Sequence, residues 1–217
     1  MDNIIQLSNV TKSFKENDSV NILEGVQWSV PEGQIVSIMG PSGNGKTTLL
    51  KILTGQEAFE GQVNILGSPL QSGETLASYQ DVGVSMDELG LYQYFSAKEN
   101  LVFFSKLFGV PKQRGLDMLV LFGLDKDKNK KVKKFSKGMK QRLSLAVAML
   151  KEPKLLVLDE PHNGLDEHNR SLVNNLLLKL KAQGTTVVLT THSQEDAQIV
   201  SDQIYYLSKG KLTLQEA

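Results

Sequence analysis

The chain has 217 residues, enough for one α/β domain with a substantial hydrophobic core and a small subdomain. Lys and Arg together number 24, and Asp and Glu also number 24, so no net charge draws the protein toward nucleic acid or lipid. The absence of cysteine excludes disulfides and thiolate metal sites, and it is typical of a reducing compartment.

The first residues, Met1–Gln6, lack the basic and then apolar run of a secretory signal. No apolar run along the chain approaches the roughly 20 residues that cross a bilayer. We therefore expect neither a signal peptide nor a membrane span, and any work at a membrane would require another chain to hold the protein there.

Short strand-like runs separated by turn residues make up the first third of the chain. The runs are Ile4–Leu7, Val26–Val30, Gln34–Met39 and Gln62–Leu66. The third run enters a glycine-rich turn, and Lys46–Leu53 then has helical periodicity. The pattern predicts a strand, a glycine loop and a helix in succession.

The glycine-rich turn matches the G-x-x-x-x-G-K-[ST] pattern of a phosphate-binding loop. Glycines let backbone N–H groups converge on phosphate oxygens, and the following helix points its positive end at the same anion. Lys46 is expected to reach the β and γ phosphates of ATP, and the Thr47 hydroxyl to bind Mg²⁺. The residues assigned to the nucleotide here are Gly40, Pro41, Ser42, Gly43, Asn44, Gly45, Lys46, Thr47 and Thr48.

Helical spacing dominates the middle of the chain, and alternation returns in the last third. Residues 96–150 carry apolar residues at helical intervals. The last third predicts, in order, Lys154–Asp159 as a strand, His168–Lys181 as a helix, Thr186–Thr190 as a strand, Gln194–Val200 as a helix and Gln203–Leu207 as a strand. Such alternation favours a largely parallel sheet covered by helices, interrupted by a helical insertion.

Two carboxylates follow the apolar strand at residues 155–158. The carboxyl end of a parallel strand faces the ligand crevice, so Asp159 is placed to hold Mg²⁺ and Glu160 to polarise an attacking water. Acidic residues also end strands in ordinary turns, and it is the phosphate loop that favours the catalytic interpretation.

Two further segments narrow the class of nucleotide-binding protein. Phe135–Arg142 begins a helix, with Ser136 as its candidate N-cap. His192 follows the strand at 186–190, where a lone histidine is usually a simple strand-end residue. His192 has a functional interpretation only because it follows the phosphate loop, the Phe135–Arg142 segment and the two carboxylates in this order along the chain.

That order resembles the ATP-binding cassette (ABC) ATPases, specifically the nucleotide-binding subunits of ABC transporters, over nearly the whole chain. The similar segments are the phosphate loop, the Ser-x-Gly signature at 136–138, the Asp-Glu strand end, Asn163–Asp166 and Thr191–His192. The resemblance implies an α/β P-loop NTPase of ABC ATPase type, with a mostly parallel core sheet, an N-terminal antiparallel β part and a helical subdomain. We expect one domain, 1–217, with core and β part at 1–85 and 153–217 and the helical subdomain at about 86–152.

The resemblance also implies roles for individual residues. Phe14 would stack on adenine, although a core position at a strand end is the alternative. Ser136 and Gly138 would bind the γ-phosphate held by a second protomer, and Asp166 would lie across the protomer interface. His192 would contact the γ-phosphate and the attacking water. Two chains would therefore close head to tail around two nucleotides, and hydrolysis would loosen them.

Several positions depart from the family pattern. Asp87 stands where the family has a glutamine that contacts Mg²⁺, and metal contact and an exposed turn are both open for it. Lys137 and Met139 replace the usual Gly and Gln of the signature, and His162 replaces Thr. Seven lysines between Lys126 and Lys137 favour a solvated face over contact with nucleic acid or anionic lipid.

The expected function is an ATPase that powers a membrane transporter, with an exporter favoured by the form of the signature. Its expected partners are an integral-membrane permease and a second ATPase protomer, identical or not, with no nucleic acid. The expected location is cytoplasmic, at the inner face of the cell membrane. The alternatives are a soluble ABC ATPase acting on DNA or ribosomes and a regulatory nucleotide-binding module without turnover. A small-molecule kinase is disfavoured, because it needs neither the signature nor the Asp166–His192 pair.

Overall fold

The computed structural model describes residues 2–14, 21–74, 79–86 and 90–215. Two sheets organise this part of the chain. The first has four antiparallel strands in the order β2-β1-β4-β5. Its strands are β1 (Asn3–Ser13), β2 (Asn21–Pro31), β4 (Glu60–Ile65) and β5 (Ser68–Leu70).

The second sheet has six strands in the order β10-β9-β3-β8-β7-β6. All neighbours in it run parallel except β10 and β9, which form an antiparallel pair at one edge. The mostly parallel core sheet and the antiparallel N-terminal part are therefore confirmed. Its strands are β3 (Ile35–Met39), β6 (Val82–Ser85), β7 (Leu155–Leu158), β8 (Thr186–Thr190), β9 (Gln203–Ser208) and β10 (Lys211–Leu214).

The central strands of this sheet are buried on both faces, which explains their continuous apolar runs. Along β7, Leu156 and Leu158 join one hydrophobic cluster, while Leu155 and Val157 join the other. The first cluster lies with the helical region and the second with the antiparallel sheet. Because strands β3, β8 and β7 are parallel neighbours, the residues that follow them meet at one edge of the sheet.

The helices surround the core sheet. They are α1 (Lys46–Leu53), α2 (Ala97–Leu107), α3 (Lys112–Leu121), α4 (Lys137–Ala148), α5 (Glu167–Ala182) and α6 (Gln194–Val200). Short 3₁₀ turns occur at Tyr79–Asp81 and Val132–Lys134. Among the described residues, no helix has both the length and the apolar character needed to span a membrane.

Local signals position the start of the helical region. Ser96 and Glu99 form a capping box at α2, each side chain bonded to the backbone of the other. The hydrogen bonds from Ser96, its backbone N–H first, lower the pKa of Glu99 to about 2. Buried Asn100 then bonds the backbone of Tyr92 and Ser96, fixing the chain that enters this helix.

Candidate nucleotide-binding site

The phosphate-binding loop leaves β3 and ends at α1, as its sequence predicts. Gly40 has φ +144°, and a Cβ there would lie 2.2 Å from the carbonyl oxygen of Leu207 on β9. Gly45 has φ +91°, and its Cβ would lie 2.6 Å from Ile22. The loop lies so close to these neighbours that only glycine fits at the two positions. Asn44 of the loop also contacts the chain that follows β9, since its Oδ1 accepts the backbone N–H of Lys209 at 3.3 Å.

Lys46 folds back over this loop. Its Nζ donates to the carbonyl oxygens of Gly40 at 2.8 Å and Pro41 at 3.2 Å. Burial lowers the pKa of its ammonium, while Glu160 and Asp159 act in the opposite direction. Lys46 is thus a buried cation within the loop, with two carboxylates facing it.

Asp159 connects the loop to two strands of the sheet. Its Oδ2 accepts the Thr47 hydroxyl at 2.8 Å, and its Oδ1 accepts the Thr190 hydroxyl at 2.5 Å. Its own backbone N–H donates to Ser85 at 2.8 Å, which continues the β6–β7 ladder past the end of β7. The carboxylate is 5 % exposed, so its orientation is fixed by these contacts.

Glu160 occupies a backbone conformation that turns it away from the strand. Its φ is +47°, which is uncommon for a residue with a side chain. Its backbone N–H donates to the Thr190 hydroxyl at 2.9 Å, and its carboxylate contacts His192 Nε2. The structure therefore brings Lys46, Asp159, Glu160 and His192 together, as their order in the chain predicts.

Thr190 was not singled out from the sequence, although its single hydroxyl serves both acidic residues. It is the last residue of β8, fully buried, and directly precedes the Thr191–His192 pair. The sequence signal that could have identified it is a threonine at the end of a buried strand, next to the strand that precedes Asp159 and Glu160. Only the neighbouring position of β7 and β8 gives that signal meaning.

Phe14 lies beside the loop rather than in the core. Its ring is 43 % exposed, which contradicts the core alternative. It lines a cavity of about 230 Å³ with Ile22, Glu160 and residues 42, 43 and 45–48. The Lys12 ammonium lies 4.8 Å from its ring centroid, within the range of a cation–π contact.

The signature residues lie apart from that cavity. Ser136 caps α4 by accepting the Met139 N–H at 3.2 Å, as predicted. Gly138 packs closely against the start of α5. A Cβ at this position would lie 3.3 Å from Leu165, which precedes the helix, and 3.3 Å from Asn169 within it. The signature helix and the start of α5 thus form one unit.

Asp166 caps α5. Its Oδ1 accepts both the backbone N–H and the side-chain amide of Asn169 at 2.8 Å, and the backbone bond is the main cause of its lowered pKa. Neither Asp166 nor the signature residues line the cavity beside Phe14. Their expected role toward a second protomer stays a prediction.

Asp87 lies outside the described residues, so its expected metal contact has no geometry here. The chain that leads to it, at Ser85 and Met86, lines a second cavity of about 680 Å³. Thr47, Asp159 and Glu160 form one wall of this cavity, and Phe104 and Phe108 of the helical region form another.

The seven lysines of residues 126–137 are all exposed. Lys130 is 3.7 Å from Asp127, and Lys131 is 3.0 Å from Glu99, so acidic neighbours offset part of the charge. The run therefore has the character of a solvated face.

The family model that describes the ABC transporter matches residues 23–163. The chain belongs to this family. It is 35 % identical to the Nod factor export ATP-binding protein I of Rhizobium sp. (strain N33), covering 95 % of this chain and 68 % of the relative. It is 31 % identical to the lantibiotic transport ATP-binding protein SrtF of Streptococcus pyogenes, covering 98 % and 90 %.

Solved structures agree with this assignment. A dimeric ATP-binding cassette in a post-hydrolysis state, bound to ADP and Pi, superposes with a TM-score of 0.86 at 28 % identity. The superposition covers 98 % of each chain. The family and fold predictions are confirmed, and the chain is an ABC transporter ATPase that binds and hydrolyses ATP.

Proposed function

We propose that this ABC ATPase holds MgATP in the loop at 40–47 and drives a membrane exporter through closure of two protomers. The observation that carries the proposal is the joint placement of Asp159, Glu160 and His192 at the sheet edge where the phosphate loop begins. Thr190 joins the two acids, and Lys46 faces them. No other cluster in the described part of the chain combines a phosphate loop with such acids.

The residues around the loop fit a magnesium ion as well as a triphosphate. Magnesium prefers oxygen ligands and is usually bound by one or two carboxylates together with water and phosphate. Thr47 and Asp159 offer a hydroxyl and a carboxylate oxygen 2.8 Å apart. When bound, the ion would neutralise charge on the β and γ phosphates. Lys46 would turn from the Gly40 and Pro41 carbonyls to the same phosphates.

Glu160 is the residue proposed to accept a proton from the attacking water. Its contact with His192 Nε2 orients the carboxylate, and its backbone N–H is held by Thr190. His192 is half-exposed, so it is also free to reach a terminal phosphate. The Phe14 ring would take the adenine of the same nucleotide.

A second protomer is proposed to complete each site. Ser136 and Asp166 are exposed at the N-termini of α4 and α5, and the N-terminus of α4 offers backbone N–H groups to an anion. Both stand away from the cavity beside Phe14 in their own chain. The dimeric state of the similar cassette bound to ADP and Pi supports this arrangement.

The partner that the ATPase drives is proposed to be an integral-membrane permease, with this chain held at the inner face of the membrane. An exposed aromatic patch on the helical region supports a docking role: its members are Tyr92, Tyr94, Phe95 and Phe103, between 37 % and 75 % exposed. The rings of Tyr92, Phe95 and Phe103 pack on one another, and Lys133 Nζ lies 4.8 Å from the ring centroid of Tyr94. Exposed aromatic side chains grouped in this way are typical of a protein interface.

Export is proposed as the direction of transport. The names of the similar proteins support it, since one is a Nod factor export protein and another, 29 % identical, is the linearmycin resistance ATP-binding protein LnrL of Bacillus subtilis (strain 168). The substrate classes in those names belong to those proteins.

Co-reconstitution with a candidate permease in liposomes tests the proposal. ATP hydrolysis should rise on addition of the transported compound, and compound should leave the ATP-containing side. Glu160→Gln is the control, since it should abolish both signals while leaving complex formation intact. Two results together would contradict the proposal: no permease changes the rate of hydrolysis, and the protein binds ribosomes or DNA in a salt-sensitive way. They would favour a soluble ABC ATPase instead.

A further inference from the structure

His162 is a buried histidine two residues beyond Glu160. Its side chain is 4 % exposed, and neither ring nitrogen has a hydrogen-bond partner among the described residues. The turn that carries it is tied to Glu160, because Asn163 N–H donates to the Glu160 carbonyl at 3.0 Å. Leu165 N–H donates to the His162 carbonyl at 3.2 Å, so the turn continues into the start of α5.

Other buried polar groups lie near enough to this ring to act on the pKa of His162: burial lowers that pKa, whereas Asp196 and Asn174 raise it. Asp196 of α6 is 1 % exposed, and both of its carboxylate oxygens lack a hydrogen-bond donor in the described part of the chain. Asn174 of α5 is 6 % exposed, with an unpaired side-chain oxygen. Arg170, also of α5, forms an ion pair with Asp196 through Nε at 3.5 Å. These are the charged and polar groups that bear on the imidazole from α5 and α6.

Asp196 is tied to the other half of the catalytic arrangement. Its backbone N–H donates to the Ser193 hydroxyl at 3.1 Å, and Ser193 is the N-cap of α6. Ser193 directly follows His192, and its own N–H donates to the Thr191 hydroxyl at 3.1 Å. An interaction of His162 with Asp196 would therefore join the turn of Glu160 to the turn of His192.

Buried polar groups in folded proteins almost always find partners, and four of them in one place are best satisfied by one another or through a bridging water. A neutral imidazole offers one N–H donor and one acceptor nitrogen, so it can donate toward Asp196 and accept from the Asn174 amide. Threonine, the usual family residue here, has a hydroxyl on a much shorter side chain.

We propose that His162 and Asp196 are positioning residues for ATP hydrolysis, linking the Glu160 turn to the His192 turn through this buried polar cluster. Neither touches the nucleotide, so they act on turnover and not on ATP binding. The inference rests on the proposed roles of Glu160 and His192.

The test compares His162→Leu, which keeps bulk but no polar atom, with His162→Asn and His162→Gln, which each keep a donor and an acceptor. We expect His162→Leu to lower kcat by about 10-fold, the effect of losing a buried hydrogen-bond partner. The KM and Kd for ATP should change less than about twofold, since Lys46 and the loop are untouched. At least one of the amide variants should keep most of the wild-type kcat. Ser105→Ala is the control, because it removes a different buried polar group that lacks a partner in the described residues. Ser105 lies on α2, away from the site, so its replacement should leave kcat unchanged.

A double-mutant cycle keeps the proposal falsifiable if His162→Leu does not fold. Asp196→Asn should lower kcat, and adding His162→Thr, whose hydroxyl lies on a much shorter side chain, should lower it no further, because both changes break the same link. Additive losses would overturn the link, as would a full kcat in His162→Leu. The failure of the proposed catalytic roles is distinguishable: in that case Glu160→Gln would itself hydrolyse ATP at the wild-type rate.

Discussion

The Thr190 hydroxyl donates to the Asp159 carboxylate across the neighbouring ends of β8 and β7, and it also accepts the backbone N–H of Glu160. One hydroxyl thereby fixes a proposed metal ligand and the backbone of the proposed base. The two strands are paired in parallel up to Leu158 and Leu189, so the contact lies one residue beyond their last ladder pair. The sheet itself sets the separation of the acids from the loop.

Replacing Thr190 by Val should weaken the fold and slow hydrolysis. Valine has the same shape but no hydroxyl, so the buried N–H of Glu160 loses its partner, at a cost of roughly 1–3 kcal/mol in unfolding free energy. Urea denaturation measures this loss. Thr213→Val on exposed β10 is the control and should cost less than about 0.5 kcal/mol. Equal losses in the two variants would show that the Thr190 hydroxyl has no special role.

Removing the Lys46 ammonium should weaken ATP binding. Hydrogen bonds to charged groups contribute about 1.5–3 kcal/mol, so Lys46→Ala should raise the Kd for ATP by roughly 10- to 100-fold. Titration with a fluorescent ATP analogue measures it, with the exposed Lys179→Ala on α5 as the control. An unchanged Kd in Lys46→Ala would contradict the assignment of the phosphate loop.

A substitution at Ser136 can distinguish its role as the N-cap of α4 from its proposed contact with phosphate. Asp is as good an N-cap as Ser, and a negative charge is favourable at a helix N-terminus, so Ser136→Asp should keep the unfolding free energy within about 0.5 kcal/mol. The new carboxylate would repel the γ-phosphate of a second protomer, and ATP-dependent dimerisation should be lost. Size-exclusion chromatography of this variant in a Glu160→Gln background measures the dimer, with Ser136→Thr as the control. A normal dimer in Ser136→Asp would exclude phosphate contact at this helix end.

His162 should give the protein a pH-dependent stability. Burial lowers its pKa from the ordinary value of 6.5, against the opposing effects of Asp196 and Asn174. The unfolded chain therefore binds the proton first, and stability falls as the pH drops below about 7 and through the lowered pKa of the folded state. Urea denaturation at pH 8 and pH 5.5 should show a smaller loss in His162→Gln than in the wild type. An identical loss in both would show that His162 titrates normally in the fold.

Local signals explain which parts of the fold could be predicted from the sequence. The bounds of α1, β8 and α6 agree with prediction, and α5 is longer than the predicted 168–181 by one residue at each end. These elements start at glycines or caps and carry clear apolar patterns. The short strands β5, β6 and β10 were not predicted, because three or four residues contain too little periodicity.

Long-range pairing explains what the sequence could not provide at the site. The four residues that meet at the sheet edge follow from chain order and the rule for parallel strands. Thr190 acquires its role only from the β7–β8 register, and the partners of His162 come from two helices that follow it in the chain. The roles proposed for Asp87, Ser136 and Asp166, and the division near residues 86 and 152, stay predictions.

The most direct measurement is a crystal structure of Glu160→Gln with ATP and Mg²⁺. We expect the β and γ phosphates against the amides of residues 43–47, Lys46 turned from the Gly40 carbonyl to the phosphates, and the metal between Thr47 and Asp159. The side chain at 160 should face the γ-phosphate, across from the Ser136 of a second copy. A loop without nucleotide, or side chains at 159 and 160 directed away from the terminal phosphate, would contradict the account.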